Sequence, residues 1–345
     1  MSLDRYAAIH TSIPEGLGDG RPTADQVLRD QDLVGNHWQG KVIFITGGTA
    51  GLGAEAARVL HKTGAKIFIA GRDVAKGEKL TKEIGAANPE FPPVEVIEMD
   101  QSTLQGVRNG TAEFLKRSGG KLNVLMPNAG IVASKELTTK EGFETLWGVN
   151  YLATFLLVKL LTPALIASTT SSFNSRLVVV SSAGHRACNV DPANYTIEGD
   201  QSKSYGQSKT ATILMANEFE RRYGYQGVHA LSLNPGVIMD TEISRGLPGD
   251  SATRRPMFYK MFPLLAKYEK SVEQGAATQV WASVAKELEG KGGLYLDDVQ
   301  VAQETPAADQ KMYCLPGFAS WIWDEDVART LWEDSLQMVG FISQP

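Results

Sequence analysis

Two cysteines in 345 residues, Cys188 and Cys314, are too few for a disulfide framework, so burial must hold the chain together. The five histidines (His10, His37, His61, His185 and His229) show no metal-ligand spacing with one another or with either cysteine, and no metal is expected. Lys and Arg never gather into a basic block, and the formal net charge is −5. Neither fact points to a nucleic acid or an anionic membrane surface as partner. The most apolar stretch, Leu152 to Leu161, is interrupted by Lys159 and is too short to span a bilayer. Met1-Ser2-Leu3-Asp4-Arg5 lacks the basic-then-apolar order of a secretory signal. No internal repeat, low-complexity tract or dividing linker interrupts the chain. These absences leave a soluble protein of a reducing, cytoplasmic compartment as the expectation.

What is present is ordinary in bulk, with 43% hydrophobic and 21% charged residues, and regular in pattern. Residues 1–40 are polar and turn-rich. They read as an extension with one short helix from Ala24 to Leu33, opened by a capping-box sequence, Thr23-Ala24-Asp25-Gln26. From Lys41 onward, β-branched runs alternate with helix-forming stretches. The strands are expected at Val42–Thr46, Lys66–Ala70, Val94–Glu98, Leu122–Met126, Leu177–Ser181, Val228–Leu233 and Gly293–Leu296. The helices fall between them at Gly53–Thr63, Val74–Ile84, Thr103–Ser118, Gly142–Leu161 and Ser204–Tyr223. Near-continuous apolar strands separated by helices predict a doubly wound parallel α/β sheet, a Rossmann fold, in one domain over 41–345.

Thr46-Gly47-Gly48-Thr49-Ala50-Gly51-Leu52-Gly53 follows the first strand directly and opens an Ala-rich helix. Glycine allows the tight turn and a close backbone approach to a pyrophosphate, and the helix N-terminus favours the anion. The order strand, turn, helix predicts a dinucleotide site. The second strand ends Ile69-Ala70-Gly71-Arg72-Asp73, with Gly71 where an NAD site usually places an acidic residue. Arg72 suits a 2′-phosphate and favours NADP. Asp73, shifted by two residues, is the alternative acidic position. Further on, Tyr205 and Lys209 stand four apart and share a helix face, so a cation beside a phenol is expected to lower the phenol's pKa.

Taken together these motifs resemble the short-chain dehydrogenase/reductase superfamily over about residues 40–300. The resemblance implies a cofactor turn of Thr46, Gly47, Thr49, Gly51, Leu52 and Gly53, and an adenine contact at Asp100. It also implies a cofactor-lining Asn128-Ala129-Gly130, with Pro127 where the family commonly has asparagine. A Pro235-Gly236-Val237 turn is implied beside the nicotinamide. Thr241 follows one residue late, after Asp240. The implied catalytic set is Asn150 holding a water in a proton relay, Ser182 (with Ser181 as fallback) at the oxyanion, and Tyr205 and Lys209 as proton donor and its modulator. Lys209 would also hold the nicotinamide ribose.

Finer features are similar to the branch of retinol-dehydrogenase-like and WW-domain-oxidoreductase-like proteins. They are Ser271-Val272-Glu273-Gln274-Gly275-Ala276, Gly292-Gly293-Leu294-Tyr295-Leu296 and Arg329-Thr330-Leu331-Trp332. The 1–40 extension is similar to that of fungal secondary-metabolism reductases. The resemblance implies an NADPH-dependent reductase of a ketone or aldehyde on a hydrophobic or aromatic molecule. An NAD(P)-dependent alcohol oxidation, an NADP-binding regulator and a non-redox isomerase are the competing readings. The insert Gly184–Lys203 is expected to wall the substrate cleft. Within the substrate segment 241–268, Met257, Phe258, Tyr259, Met261, Phe262, Leu264 and Leu265 are expected to pack as core or as an apolar lid. Tyr313 to Trp323 would cover the same mouth or make a subunit contact. A homodimer through the helices bearing Asn150 and Tyr205 is compatible with the apolar Tyr151–Leu161 face, which would serve equally as core.

Overall fold

Val42–Thr46 (β1) reads Val-Ile-Phe-Ile-Thr and is buried at every position, as a strand covered on both faces must be. Its side chains alternate between two layers. Ile43 and Ile45 join one hydrophobic cluster and Phe44 the other, and Ile67, Ile69 and Phe68 of the next strand repeat the division. The computed structural model describes residues 3, 5–11, 13–245, 247 and 249–341. Residues 1, 2, 4, 12, 246, 248 and 342–345, including part of the Met1–Arg5 reading, of the extension and of the 241–268 segment, lie outside the described residues.

The remaining strands are Lys66–Gly71 (β2), Glu95–Glu98 (β3), Val124–Met126 (β4), Ser175–Val180 (β5), Val228–Asn234 (β6), Leu294–Asp297 (β7) and Gln300–Val301 (β8). They pair in the order β3-β2-β1-β4-β5-β6-β7-β8, all parallel except the last pair. The direction of strand order reverses between β1 and β4, which opens the crevice where such sheets bind ligands. The antiparallel β8 was not expected from the sequence. It is reached through Asp298 and Val299, both with positive φ (50° and 57°), a backbone that β-branched valine rarely adopts. Burial of Val299 and a hydrogen bond from its N–H to Thr278 Oγ1 (3.2 Å) hold that turn.

The helices are Ala24–Asp30 (α1), Gly51–His61 (α2), Val74–Ala87 (α3), Leu104–Ser118 (α4), Ala153–Ala167 (α5), Gln201–Tyr223 (α6), Ser251–Met261 (α7), Leu265–Tyr268 (α8), Val272–Gly275 (α9), Ala277–Val284 (α10) and Glu325–Met338 (α11). Helix α1 packs on α2 and α10, burying Ala24, Val27 and Leu28. It ends at Asp30 rather than Leu33 because Asp32 turns left-handed (φ 54°). Thr23 caps it by accepting from Gln26 N (3.2 Å). The two-way capping box is made instead by Ser271 and Gln274 at the start of α9. Gln274 also reaches the extension, donating to the carbonyls of Asp19 (3.1 Å) and Arg21 (3.2 Å).

The helix expected at 142–161 begins with a π turn, Trp147–Leu152, and runs on as α5. Glu144 sets its start by accepting from the N–H groups of Leu146 (3.0 Å) and Trp147 (2.8 Å). The span Trp147–Ala167, 21 residues of mean hydropathy 1.7, is long and apolar enough to cross a membrane, but 72% of its most apolar window is buried inside the fold. Its apolar face is core: Tyr151 bonds Ser335, and Phe155 meets Trp332 edge-on at 5.0 Å, both partners lying on α11.

Candidate active site

The turn after β1 is shaped by contacts too close for a side chain. Gly47 has φ +63°, and a Cβ there would lie 2.8 Å from Ala129 Cα. A Cβ at Gly53 would lie 2.4 Å from the Gly47 carbonyl oxygen and 2.6 Å from Asn128 Nδ2, so α2 can approach the turn only with glycine there. Thr46 is buried behind this turn. Its Oγ1 accepts from the N–H groups of Asn128 (3.2 Å) and Ala129 (3.3 Å), and its carbonyl accepts from Asn128 Nδ2 (2.9 Å). Thr46 and Gly53 therefore frame the cleft without lining it, while Gly47, Thr49, Gly51 and Leu52 face it. Ala50 gives the first turn of α2 no side-chain cap. N–H groups in such a turn are ready donors to an anion.

The cleft, of about 800 Å³, runs from this turn to the end of β5. At one end lie Arg72 and Asp100, the latter fixed by Ser102 N (3.0 Å) and Ser102 Oγ (2.8 Å). Asp73 is engaged elsewhere, capping α3 by accepting from Lys76 N (2.9 Å). Asn128, Ala129 and Gly130 form the middle, and Pro235, Gly236, Val237 and Thr241 the facing rim. Thr241 donates to the Ile238 carbonyl (3.4 Å), and its methyl packs where a Cβ on Gly51 would be (3.4 Å). An uncapped helix start, a glycine cradle and a guanidinium at the far end fit a phosphorylated dinucleotide.

At the other end Ser182, Tyr205 and Lys209 come together. Ser182 Oγ accepts from Gly184 N (3.0 Å), and a Cβ on Gly184 would meet Tyr205 Cε1 at 2.7 Å, so the phenol ring lies flush on that turn. Ser181 also borders the cleft, but its hydroxyl is spent within the fold, donating to the Lys209 carbonyl (2.9 Å). The expectation that Lys209 lowers the phenol's pKa is not met. Burial pushes Tyr205 up to about 12, and only a hydrogen bond with Ser182 works against it. Lys209 Nζ is 5.8 Å from the ring centroid and donates to the Val180 carbonyl (3.1 Å), and its own burial lowers it to about 8. Desolvation outweighs attraction at that separation.

Asn150 is buried at the π turn and does not line the cleft. Its Oδ1 accepts from Ile131 N (2.8 Å), and its Nδ2 donates to the Ile131 carbonyl (2.9 Å) and Ser208 Oγ (3.0 Å). Both amide protons are thus engaged within the protein, and the side chain clamps the loop after β4. Asn150 Oδ1 and Lys209 Nζ both sit 3.3 Å from where a Cβ on Gly130 would be, so the clamp reaches the lysine.

Several positioning residues escaped the sequence reading. His185, for which the sequence suggests no role, is fully buried and held to about 3 by that burial, hence neutral. It accepts from Ala319 N at Nε2 (3.2 Å), which leaves Nδ1 to donate to the Ser182 carbonyl (2.7 Å). Asn234 Oδ1 accepts from Ala183 N (3.0 Å) and Gly236 N (3.2 Å), tying the serine turn to the Pro-Gly turn. Lys270, ion-paired with Asp298 and donating to the Pro235 carbonyl (3.4 Å), supports that turn from below. His185 follows the Ser182-Ala183-Gly184 turn and Asn234 directly precedes Pro235-Gly236, so a place beside a strand-end turn is a usable signal for both. Lys270 carried none. Of the insert Gly184–Lys203, Gly184, Ala187 and Ser202 line the cleft, whereas Tyr195 stacks on Trp147 at 5.0 Å. Tyr313 lines the mouth, but Phe318 and Trp321 pack on Tyr295 and Ile213 in a small core. The 257–265 apolar stripe does not line the cleft, and Met257, Met261, Phe262 and Leu264 are exposed.

Comparison with known proteins shows the family and the fold. The chain is 71% identical to the oxidoreductase calI of Penicillium decumbens over the whole of both chains. It is 35% identical to the polyprenol dehydrogenase of Mus musculus, covering 87% of this chain and 84% of that one. The fold superposes on the RhlG/NADP active-site complex of Pseudomonas aeruginosa with a TM-score of 0.59 at 21% identity, over 75% and 94% of the two chains. The short chain dehydrogenase family profile matches residues 41–251, and this oxidoreductase chain belongs to that family.

Proposed function

We propose that the protein is an NADPH-dependent reductase of a ketone or aldehyde on a hydrophobic or aromatic small molecule. The observation that carries this reading is one cleft with a guanidinium at one end and a phenol protonated at neutral pH at the other. Gly47, Thr49, Gly51 and Leu52 would hold the pyrophosphate, Asp100 the adenine, Arg72 the 2′-phosphate and Lys209 the nicotinamide ribose. Asp73, committed to its helix cap, is a poor ribose clamp, which favours NADP over NAD. Bound NADPH would supply the hydride to the carbonyl carbon.

As charge grows on the substrate oxygen, Ser182 donates a hydrogen bond to it and Tyr205 gives up its proton, so the product leaves as an alcohol. A phenol with a pKa near 12 is fully protonated before the step, as a proton donor should be. Asn150 acts by holding the Gly130-Ile131 loop against Lys209. The apolar substrate is supported by the polyprenol relative, whose name implies a long apolar alcohol. That relative is named a dehydrogenase, which favours the oxidative direction as the second reading.

NADPH consumption against a panel of aromatic and aliphatic ketones, beside NADP⁺ reduction with the matching alcohols, separates the two directions. Tyr205→Phe should lower ketone turnover by about 10²–10⁴-fold while NADPH still binds. Turnover retained in that variant would overturn the assignment.

A further inference from the structure

We propose that Arg245 is the second half of a 2′-phosphate clamp, meeting Arg72 from the opposite rim of the cleft, so that NADPH, unlike NADH, fastens the start of the 241–268 segment. This rests on the NADPH reading above and extends it to a residue outside the cofactor motifs.

Arg72 stands at the end of β2, and Arg245 follows the short turn Glu242–Ser244 after β6, yet both line the one cleft. The carboxylates close to them in sequence are engaged: Asp73 caps α3, and Glu242 is ion-paired with Lys76. That ion pair also removes Lys76 as a competing cation and docks the 241–245 turn on α3, the helix that Arg72 precedes. Two further contacts fix the turn. Val132 N donates to the Ile243 carbonyl (3.3 Å), and the Thr241 methyl packs beside Gly51. Behind it, the buried Arg254 donates to the carbonyls of Ser244 (3.2 Å), Leu247 (3.3 Å) and Gly249 (2.7 Å). Arg245 is thus carried on a preorganised turn.

Among the described residues neither Arg72 nor Arg245 has a salt bridge, and the charge of Arg72 bears on Arg245 across the cleft they both line. Desolvation first and the positive charge of Arg72 second hold the Arg245 guanidinium below its ordinary pKa, with Glu242 opposing them only in part. Two like charges facing one space are relieved by a dianion between them, and guanidinium forks suit the oxygens of a phosphomonoester. A ribose bearing only a 2′-hydroxyl supplies no such charge. The clamp would therefore do two things, discriminating the cofactors and joining the cofactor half of the cleft to the substrate segment.

Calorimetric titration of the full chain with 2′,5′-ADP and with 5′-AMP reads the clamp without turnover. Arg245→Ala should weaken 2′,5′-ADP about tenfold and leave 5′-AMP unchanged, and Arg245→Glu should weaken it further. Chymotryptic cleavage at Phe258, Tyr259 and Phe262 should slow with 2′,5′-ADP, but not with 5′-AMP, in the wild type, and this protection should vanish in Arg245→Ala. If Arg72→Ala weakens 2′,5′-ADP while both Arg245 variants bind it like wild type, the clamp is refuted and the NADPH reading stands. If Arg72→Ala is also without effect, the NADPH reading itself falls.

Discussion

The floor of the cleft and its outer rim are held in different ways. On the floor, Gly47, Asn128 and Ser182 each sit within two residues of a strand end, and β1, β4 and β5 place them by backbone pairing over an apolar core. On the rim, the described residues of the 241–270 segment contribute no strand to the sheet, and the segment hangs on buried charges. Arg21 of the extension donates to the carbonyls of Gly16 (3.0 Å), Tyr268 (2.9 Å) and Glu269 (2.7 Å), and pairs with Asp19 (2.8 Å). Glu269, fully buried, takes Arg255 (2.9 Å) and Tyr259, and Lys270 takes Asp298. Sheet pairing fixes the floor whatever the rim does. The rim is fixed only while every partner is in place, because an unpaired buried charge costs more than the pair gains.

Three substitutions probe that contrast. The largest effect is expected at the rim, where Arg21→Met strands three carbonyls and a carboxylate. It should lower the unfolding free energy by about 3–5 kcal/mol in urea titration and speed proteolysis within 251–268 first. Uniform loosening of floor and rim would erase the distinction.

The next concerns Lys209, whose folded pKa of about 8 lies below its ordinary 10.5. Between those two values the unfolded chain binds more protons, so stability should rise with pH across that window. The penalty is fully present below about pH 8 and gone above about 10.5. Lys209→Met lacks this titration. Its stability advantage over wild type should therefore shrink by roughly 3 kcal/mol across the window, measured by chemical denaturation at each pH. A constant difference would mean that the ammonium is not desolvated.

The smallest is Gly184→Ala on the floor. Its methyl would press on Tyr205 Cε1, so ketone turnover should fall about a hundredfold with the melting temperature nearly unchanged. Unchanged turnover would show that the Tyr205 ring position is not critical.

What was legible followed the same division. Strand placements were readable because β-branched runs bounded by glycine and asparagine turns declare themselves locally, and β1 falls on the residues expected. The glycine turn, Asn128-Ala129-Gly130, Ser182 and Tyr205 were legible because each is a short motif at a strand end or on a helix face. The phenol's pKa was read in the wrong direction, since spacing shows that Lys209 shares a face with Tyr205 but not that 5.8 Å and burial intervene. The lid reading of the 257–265 stripe met a similar obstacle, for apolar composition does not say which surface a helix is turned toward.

By itself, then, the sequence determined a doubly wound sheet, a dinucleotide turn and the residues around the reacting end, because backbone geometry and strand-end motifs are properties of neighbouring residues. Tertiary structure alone decided that His185 is a buried neutral support and that α11 covers the apolar face of α5. It alone brought Arg21 under Glu269 and Arg245 to the cleft that Arg72 lines. Those pairings join residues up to 248 positions apart, and a charge finds its partner across such a distance only when the packed core has set where both will stand.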